Sequence, residues 1–292
     1  MSAELELTVV VPVFDRAASV TRALATILSQ PGNISVVVVD DGSSPECAAA
    51  LDELPTEGSR VRLLRQRNQG PAAARNAGLG LTTSRYVMFL DSDDELAEAA
   101  VAAVNALLQG GVGLLCGAVR VVSPDGTVCT KRPAALPGVP WGKLSSLAGS
   151  FVVRTDVARA VGGYDKALRF GENTDFILRV AEECRKRSLG VAATDDVLSV
   201  YYTAFDERRY DGERLDAAVH LLRRGRFDLE VPGVRARLHG IAAVNASRLK
   251  RYGLAVRHSL LAALVQPRNP RHLVRLALSL SGPAARRLWL RS

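Results

Sequence analysis

Three apolar, β-branched runs near the start of the chain each stop at carboxylates, and this pattern restricts the fold more than any other feature. Leu7 to Val13 runs into Phe14-Asp15, Ile34 to Val39 into Asp40-Asp41, and Tyr86 to Leu90 into Asp91-Ser92-Asp93-Asp94. Continuous apolar runs of this length suit strands covered on both faces of a sheet. Helical patterns lie between and after them: Ala17 to Ser29, with Val20, Leu24, Ile27 and Leu28 on one side, then Pro71 to Leu79 and Leu96 to Leu108. Val61 to Leu64 adds a further strand. This alternation predicts an α/β protein, a Rossmann-type, mostly parallel sheet with helices on both faces. Such sheets bind ligands outside the carboxyl ends of their strands. Asp15, Asp40, Asp41, Asp91 and Asp93 are therefore expected along one edge.

That edge lacks the usual phosphate cradles. A dinucleotide site wants G-x-G-x-x-G after the first strand, but the turn here is Pro12-Val13-Phe14-Asp15-Arg16, and no Walker A sequence occurs. An acidic edge without a glycine loop can hold a diphosphate through a divalent cation. The competing reading has Asp93 and Asp94 open the next helix, where acids favour the positive end of the dipole. Asn68-Gln-Gly-Pro-Ala-Ala-Ala-Arg-Asn-Ala-Gly78 is the second marked segment. Gly70 relaxes the backbone, Pro71 opens a helix, and Ala72 to Ala74 permit close approach, leaving Arg75 and Asn76 to face a nucleotide or to buttress its loops.

After Val112 the pattern changes. Val112 to Val122, a Pro124-Asp125-Gly126 turn and Thr127 to Thr130 predict a hairpin, followed by a long loop from Arg132 to Lys143. Leu147 to Val153 reads as a strand, Asp156 to Val161 as a short helix, Gly162 to Asp165 as a turn, Thr174 to Lys186 as a helix and Val197 to Tyr202 as a last strand. Beyond Asp206 only helical patterns remain, which sets domains of 1–205 and 206–292. Cys47, Cys116, Cys129 and Cys184 lack metal-ligand spacing and are expected to be reduced. Glu4 and Glu6 stand where a signal peptide would be basic, and no run of about 18 apolar residues occurs, so a cytoplasmic protein without a membrane span is expected.

Val10 to Arg16, Val38 to Ser44, Asn68 to Gly78 and Phe89 to Asp94, in that order, resemble the family 2 glycosyltransferases of GT-A fold. The similarity continues through Gly149-Ser150-Phe151, Gly162-Gly163-Tyr164-Asp165 and Gly171 to Arg179. The resemblance implies a hexosyltransferase-like enzyme that takes a nucleotide-diphosphate sugar (UDP, dTDP or GDP type) and transfers the sugar to a hydroxyl acceptor with inversion. It implies that Pro12, Val13 and Asp15 line the nucleoside pocket, with Asn68, Arg75 and Ser92 close to the donor. Asp41 or Asp40 would accept from the base edge. Asp91 and Asp93 would form the Asp-x-Asp motif, with Asp93 the first choice as ligand to Mn2+ or Mg2+, and Asp94 would be left to cap the next helix.

The chain departs from that family twice. Glu172-Asn173 stands where the family usually has Glu-Asp, so a carboxamide occupies the place of the base, and an amide cannot take a proton at neutral pH. Glu172 or Asp175 is then expected to be the base; altered or lost chemistry is the alternative. A donor-binding partner of an active transferase and a nucleotidyltransferase are the rival functions. The second departure is that no His follows the last strand. Asp206 is the substitute to consider, and His220, His239, His258 and His272 all lie in the tail, where surface positions are expected.

The formal charge of +8 is uneven: from Arg208 onward 18 Lys and Arg face five acids. Leu238, Ile241, Leu249, Tyr252, Val256 and Leu260 are expected on one side of a helix from Val234 to Leu264, and Leu276, Leu280, Leu288 and Trp289 on another. Two fates follow: peripheral contact with the inner face of an anionic membrane, or packing on the catalytic domain or a second subunit. Nucleic acid is not expected, since aromatics are few and no binding motif occurs.

Overall fold

The computed structural model describes residues 6–56, 60–108, 111–135, 143–144, 146–168, 170–203, 211–224 and 232–281. In chain order the first elements are β1 (Glu6–Val13), α1 (Ala17–Leu28), β2 (Asn33–Asp40), α2 (Pro45–Asp52), β3 (Val61–Arg65), α3 (Pro71–Leu81), β4 (Tyr86–Phe89), β5 (Glu95–Leu96) and α4 (Ala100–Leu107). There follow β6 (Val112–Val122), β7 (Val128–Lys131), β8 (Ala134–Ala135), β9 (Lys143–Leu144), β10 (Phe151–Arg154), α5 (Thr155–Ala160), α6 (Glu172–Lys186) and β11 (Gly190–Tyr202). The rest is helical: α7 (Asp211–Arg224), α8 (Pro232–Arg248), α9 (Tyr252–Val265) and α10 (Pro270–Leu280).

The main sheet runs β3-β2-β1-β4-β10-β6-β11-β5, with β7 paired to β6. β3, β2, β1 and β4 are mutually parallel, β10 is antiparallel to both β4 and β6, and β11 returns parallel to β6. The expected α/β architecture is present. Alternation along β1 shows why helices cover both faces: Leu7, Val9, Val11 and Val13 join Val20, Leu24 and Ile27 of α1 and Val101 and Val104 of α4 in one core. Val10 points to the opposite face, where Gly78 of α3 lies so close that a Cβ would stand 2.3 Å from Val10 Cγ1.

Several expectations need correction. Leu96 does not open a helix; Glu95 and Leu96 pair with Val200 and Ser199 of β11, and α4 starts only at Ala100. β11 begins at Gly190, seven residues before the predicted strand, and its polar half follows β6 through register shifts on either side of Val197. Polar bulged strands carry no apolar alternation, so pattern alone misses them. The Leu147–Val153 strand shortens to Phe151–Arg154. Part of the Arg132 to Lys143 loop forms the β8–β9 pair; residues 136–142 of it, with Trp141, lie outside the described residues, as do Asp206 and 282–292.

The chain divides into two compact units, one comprising residues up to Ala134 and Trp141–Phe205, the other Ala135–Pro140 and Asp206–Ser292. In the second unit Leu215 and Ala218 of α7, Ala242, Ala243 and Ala246 of α8, and Ala255 of α9 form a separate small core. The single helix expected from Val234 to Leu264 is two: Lys250 takes a left-handed φ of 60° and breaks it. His239, His258 and His272 are buried rather than on the surface.

Candidate active site

Beyond β4 the chain turns tightly, with the Asp94 N–H donating to the Asp91 carbonyl at 3.0 Å. The turn leaves the Asp93 side chain 39% exposed and buries Ser92 and Asp94. Arg16, just ahead of α1, pairs with the Asp93 carboxylate. Arg22 of α1 donates to the Asp93 carbonyl at 2.9 Å and pairs with Glu95 at 2.8 Å. Asp94 caps no helix, contrary to expectation; its Oδ1 accepts from the Tyr202 N–H at 3.1 Å. Burial, with the Asp91 charge beside it, pushes the Asp94 pKa up to about 9.

The other acidic strand ends fasten loops. Asp15, at a left-handed φ of 52°, accepts from the Ser44 N–H at 2.7 Å, and its own N–H donates to Ser43 Oγ at 3.0 Å. The Ser44 N–H holds the Asp15 carboxyl below its ordinary range. Asp40 is buried and accepts from the Ser43 N–H at 2.9 Å. Asp41, also buried, accepts from Gln66 Nε2 at 2.7 Å, the Gln69 N–H at 2.9 Å and the Gly70 N–H at 2.8 Å. Three strand-to-helix turns are thereby tied together. Around them Val13 is buried, Pro12 half-buried, and Phe14 and Asn68 are exposed.

Arg75 of α3 links this edge to α6. Its Nη2 donates to Asp91 Oδ1 at 2.6 Å and its Nη1 to Glu172 Oε1 at 2.9 Å. Burial works against the guanidinium charge, yet Asp91, Tyr164 and Glu172 together raise its pKa. Arg75 therefore buttresses the site from below. Among the described residues Glu172 has no other hydrogen-bond partner, and 12% of its side chain is exposed.

α6 starts at Glu172 rather than Thr174, so Glu172, Asn173 and Asp175 all lie in its first turn, where the helix dipole favours negative charge. They do not share one environment. Asp175 is sealed from solvent and paired to Arg179 Nε at 2.7 Å. Arg179 Nη1 donates in turn to the Val161 and Gly163 carbonyls, each at 2.8 Å. The same turn is gripped from the other side by Asn76, whose Oδ1 accepts from the Tyr164 N–H at 2.7 Å and whose Nδ2 donates to the Tyr164 carbonyl at 2.8 Å. Gly163 has a φ of +68°, and a Cβ there would stand 2.3 Å from Asn76 Oδ1, so only glycine fits. Tyr164 is thus delivered between Phe176, stacked at 4.3 Å, and Phe89, edge-on at 4.9 Å. Its hydroxyl, kept neutral by burial, donates to Asn173 Oδ1 at 3.0 Å.

The family model described as glycosyl transferase family 2 matches residues 8–164, more than half of the chain. The chain belongs to glycosyl transferase family 2. The pre-mycofactocin glycosyltransferase of Mycobacterium tuberculosis is 30% identical over 197 residues, covering 61% of this chain and 39% of that protein. The succinoglycan biosynthesis protein ExoO of Rhizobium meliloti is 42% identical over 91 residues, covering 30% of this chain and 26% of its own. This chain thus spans well under half the length of the curated relatives it matches. Two solved structures share the fold. The mannosyltransferase PcManGT of Pyrobaculum calidifontis, in complex with GDP-Man and Mn2+, aligns with a TM-score of 0.61 at 21% identity over 98% of this chain and 83% of that one. S. aureus TarS 1-349, in complex with UDP-GlcNAc, aligns with a TM-score of 0.61 at 14% identity over 94% of this chain and 90% of that one.

Among the described residues no three His, Cys, Asp or Glu side chains converge as a cation cage. Asp93 is nonetheless exposed and already neutralised by a cation, the Arg16 guanidinium. One or two carboxylates completed by substrate phosphates are a usual arrangement for Mg2+, so the residues fit. Arg16, Phe14 and Tyr164 lie in the motifs that carry the family resemblance, but no individual role follows for them from sequence alone. Phe14 had a signal, an aromatic side chain 49% exposed at the mouth of a buried strand, but only the structure shows the exposure.

Proposed function

We propose that the chain is a metal-dependent glycosyltransferase that moves a sugar from a nucleotide-diphosphate donor to a hydroxyl acceptor with inversion. Residues 1–205 would carry the chemistry. The observation that supports this reading is the buried guanidinium of Arg75, which joins Asp91, read here as donor-side, to Glu172, read here as acceptor-side. A single displacement needs a base and a leaving group held in fixed relation across the anomeric carbon. One rigid cation gripping both sides supplies that relation.

In this reading Asp93, with Asp91, holds Mn2+ or Mg2+, which when bound acts as a Lewis acid on the departing diphosphate. Phe14 offers its exposed ring to the base at the end of β1, beside Pro12, Val13, Asp15 and Asn68. Asp41 and Asp40 hold the loop that the base rests on. Glu172 accepts the proton from the acceptor hydroxyl as its oxygen bonds to the anomeric carbon and the bond to the diphosphate breaks. Asn173, its carbonyl engaged by Tyr164, keeps its N–H donors to orient the hydroxyl. Asp175 positions α6 against the Gly162–Tyr164 turn and does not meet the acceptor.

Glu172→Gln tests the reading, because the amide oxygen still accepts from Arg75 while losing the ability to take a proton. Turnover is expected to fall by roughly 10²–10⁴-fold, with the Mn2+-dependent thermal stabilisation by UDP-, dTDP- or GDP-sugars unchanged. Unaltered turnover removes Glu172 as base. Donor binding without turnover on any acceptor, already in the unsubstituted protein, favours the donor-binding partner that the Asn173 carboxamide suggests.

A further inference from the structure

The helices α9 and α10 are inverted. α9 buries Ala255, His258, Ser259 and Ala262 and leaves Tyr252, Leu260 and Leu264 exposed along one stripe, with half-buried Val256 between them. α10 buries His272 and Ser279 and exposes Leu273, Val274 and Leu280. The two helices meet through Ser259 and Ser279, whose hydroxyls lie 2.8 Å apart. In water a surface helix turns its apolar stripe inward, so a hairpin that buries serine and exposes leucine is suited to an apolar surrounding. Of the ten large apolar residues exposed among the described residues, seven lie between Leu249 and Leu280.

Charge identifies the occupant. After Glu230 the chain holds 12 Lys and Arg and no acid, and Lys250, Arg251, Arg257, Arg268 and Arg271 are exposed around these stripes. A second copy would bring an equally cationic face and be repelled. An anionic lipid surface offers both a sink for the leucines and countercharge for the arginines. Among the described residues no helix is long and apolar enough to cross a membrane.

We propose that the α9–α10 hairpin is an interfacial surface that lies on bilayers rich in anionic lipid. Flotation of the full chain with phosphatidylcholine vesicles, with and without phosphatidylglycerol, tests this at low and high salt. Binding is expected with phosphatidylglycerol, weakened by salt and slight on phosphatidylcholine alone. Combining Leu260→Ser, Leu264→Ser, Leu273→Ser and Leu280→Ser is expected to cut it by at least about tenfold with the circular dichroism melt unchanged, since all four side chains are exposed. Absence of flotation on phosphatidylglycerol vesicles at low salt overturns the proposal. So does a dimer in sedimentation that the quadruple variant dissociates while flotation is unaffected, which would make the face a contact between copies.

Discussion

Burying Arg75 strips its guanidinium of water, and the two carboxylates it grips, with the Tyr164 ring 5.2 Å away, replace that solvation. A buried ion pair adds little over a well-packed apolar substitute, but breaking one by removing a single partner leaves uncompensated charge. Arg75→Ala is therefore expected to cost about 3–5 kcal/mol, measured as a lowered denaturation midpoint. Arg75→Lys keeps the charge yet cannot fork between Asp91 and Glu172, so it should recover only part of that stability. Equal stability of Arg75→Lys and the unsubstituted protein would show that the bridge is not needed. Asp175 and Arg179 make a second buried pair, and their work is to hold the carbonyls of Val161 and Gly163.

At the scale of elements, α3 decides the shape of the site because it carries Arg75 and Asn76 and must lie close against β1. Gly78 sets that approach. In Gly78→Ala the new methyl would stand 2.3 Å from Val10 Cγ1, and overpacking of this kind costs about 1–3 kcal/mol. Removing the obstructing methyls with Val10→Ala in the same protein should return part of the loss, a coupling that a double-mutant cycle measures. Strictly additive losses would mean that α3 does not lean on Val10. α9 shows the opposite economy: its lean, small-residue face is inside and its leucines are outside, which hydropathy by itself cannot order.

For the molecule as a whole, the second unit holds all four histidines and with them a dependence on pH in the histidine range. Burial, with Arg257 nearby, lowers the His258 pKa below 6.5, and burial with Arg275 nearby lowers that of His272. His258 Nδ1 lies 2.8 Å from His239 Nδ1, so one ring must donate and the other accept. As pH falls, the unfolded chain takes up these protons first. The stability they contribute is present above pH 6.5, the ordinary histidine value, and is lost as pH drops below it toward the lowered folded values. Thermal melts of the full chain at about pH 7.5 and about pH 5.5 should show a lower midpoint in acid, and His258→Gln should flatten the difference. A midpoint independent of pH over that range would contradict the buried pair.

The alternation of apolar strands and helices, the acidic strand ends and the order of the motifs were legible along the chain, because strand and helix periods are local properties. So was the anomaly at Asn173. Local pattern failed for Asp94, read as a helix cap, and for the polar half of β11, since both depend on partners distant in sequence; Asp94 is held by an amide 108 positions away. The same holds for the division among carboxylates of like appearance. Asp40 and Asp41 are spent on loop amides and Asp175 on Arg179, whereas Asp93 and Glu172 keep exposed edges. Burial and pairing choose between these fates, and the decisive contact, Arg75 to Glu172, joins residues 97 positions apart. Sequence by itself determined which chemistry could be assembled; only the tertiary structure decided which groups are left to perform it.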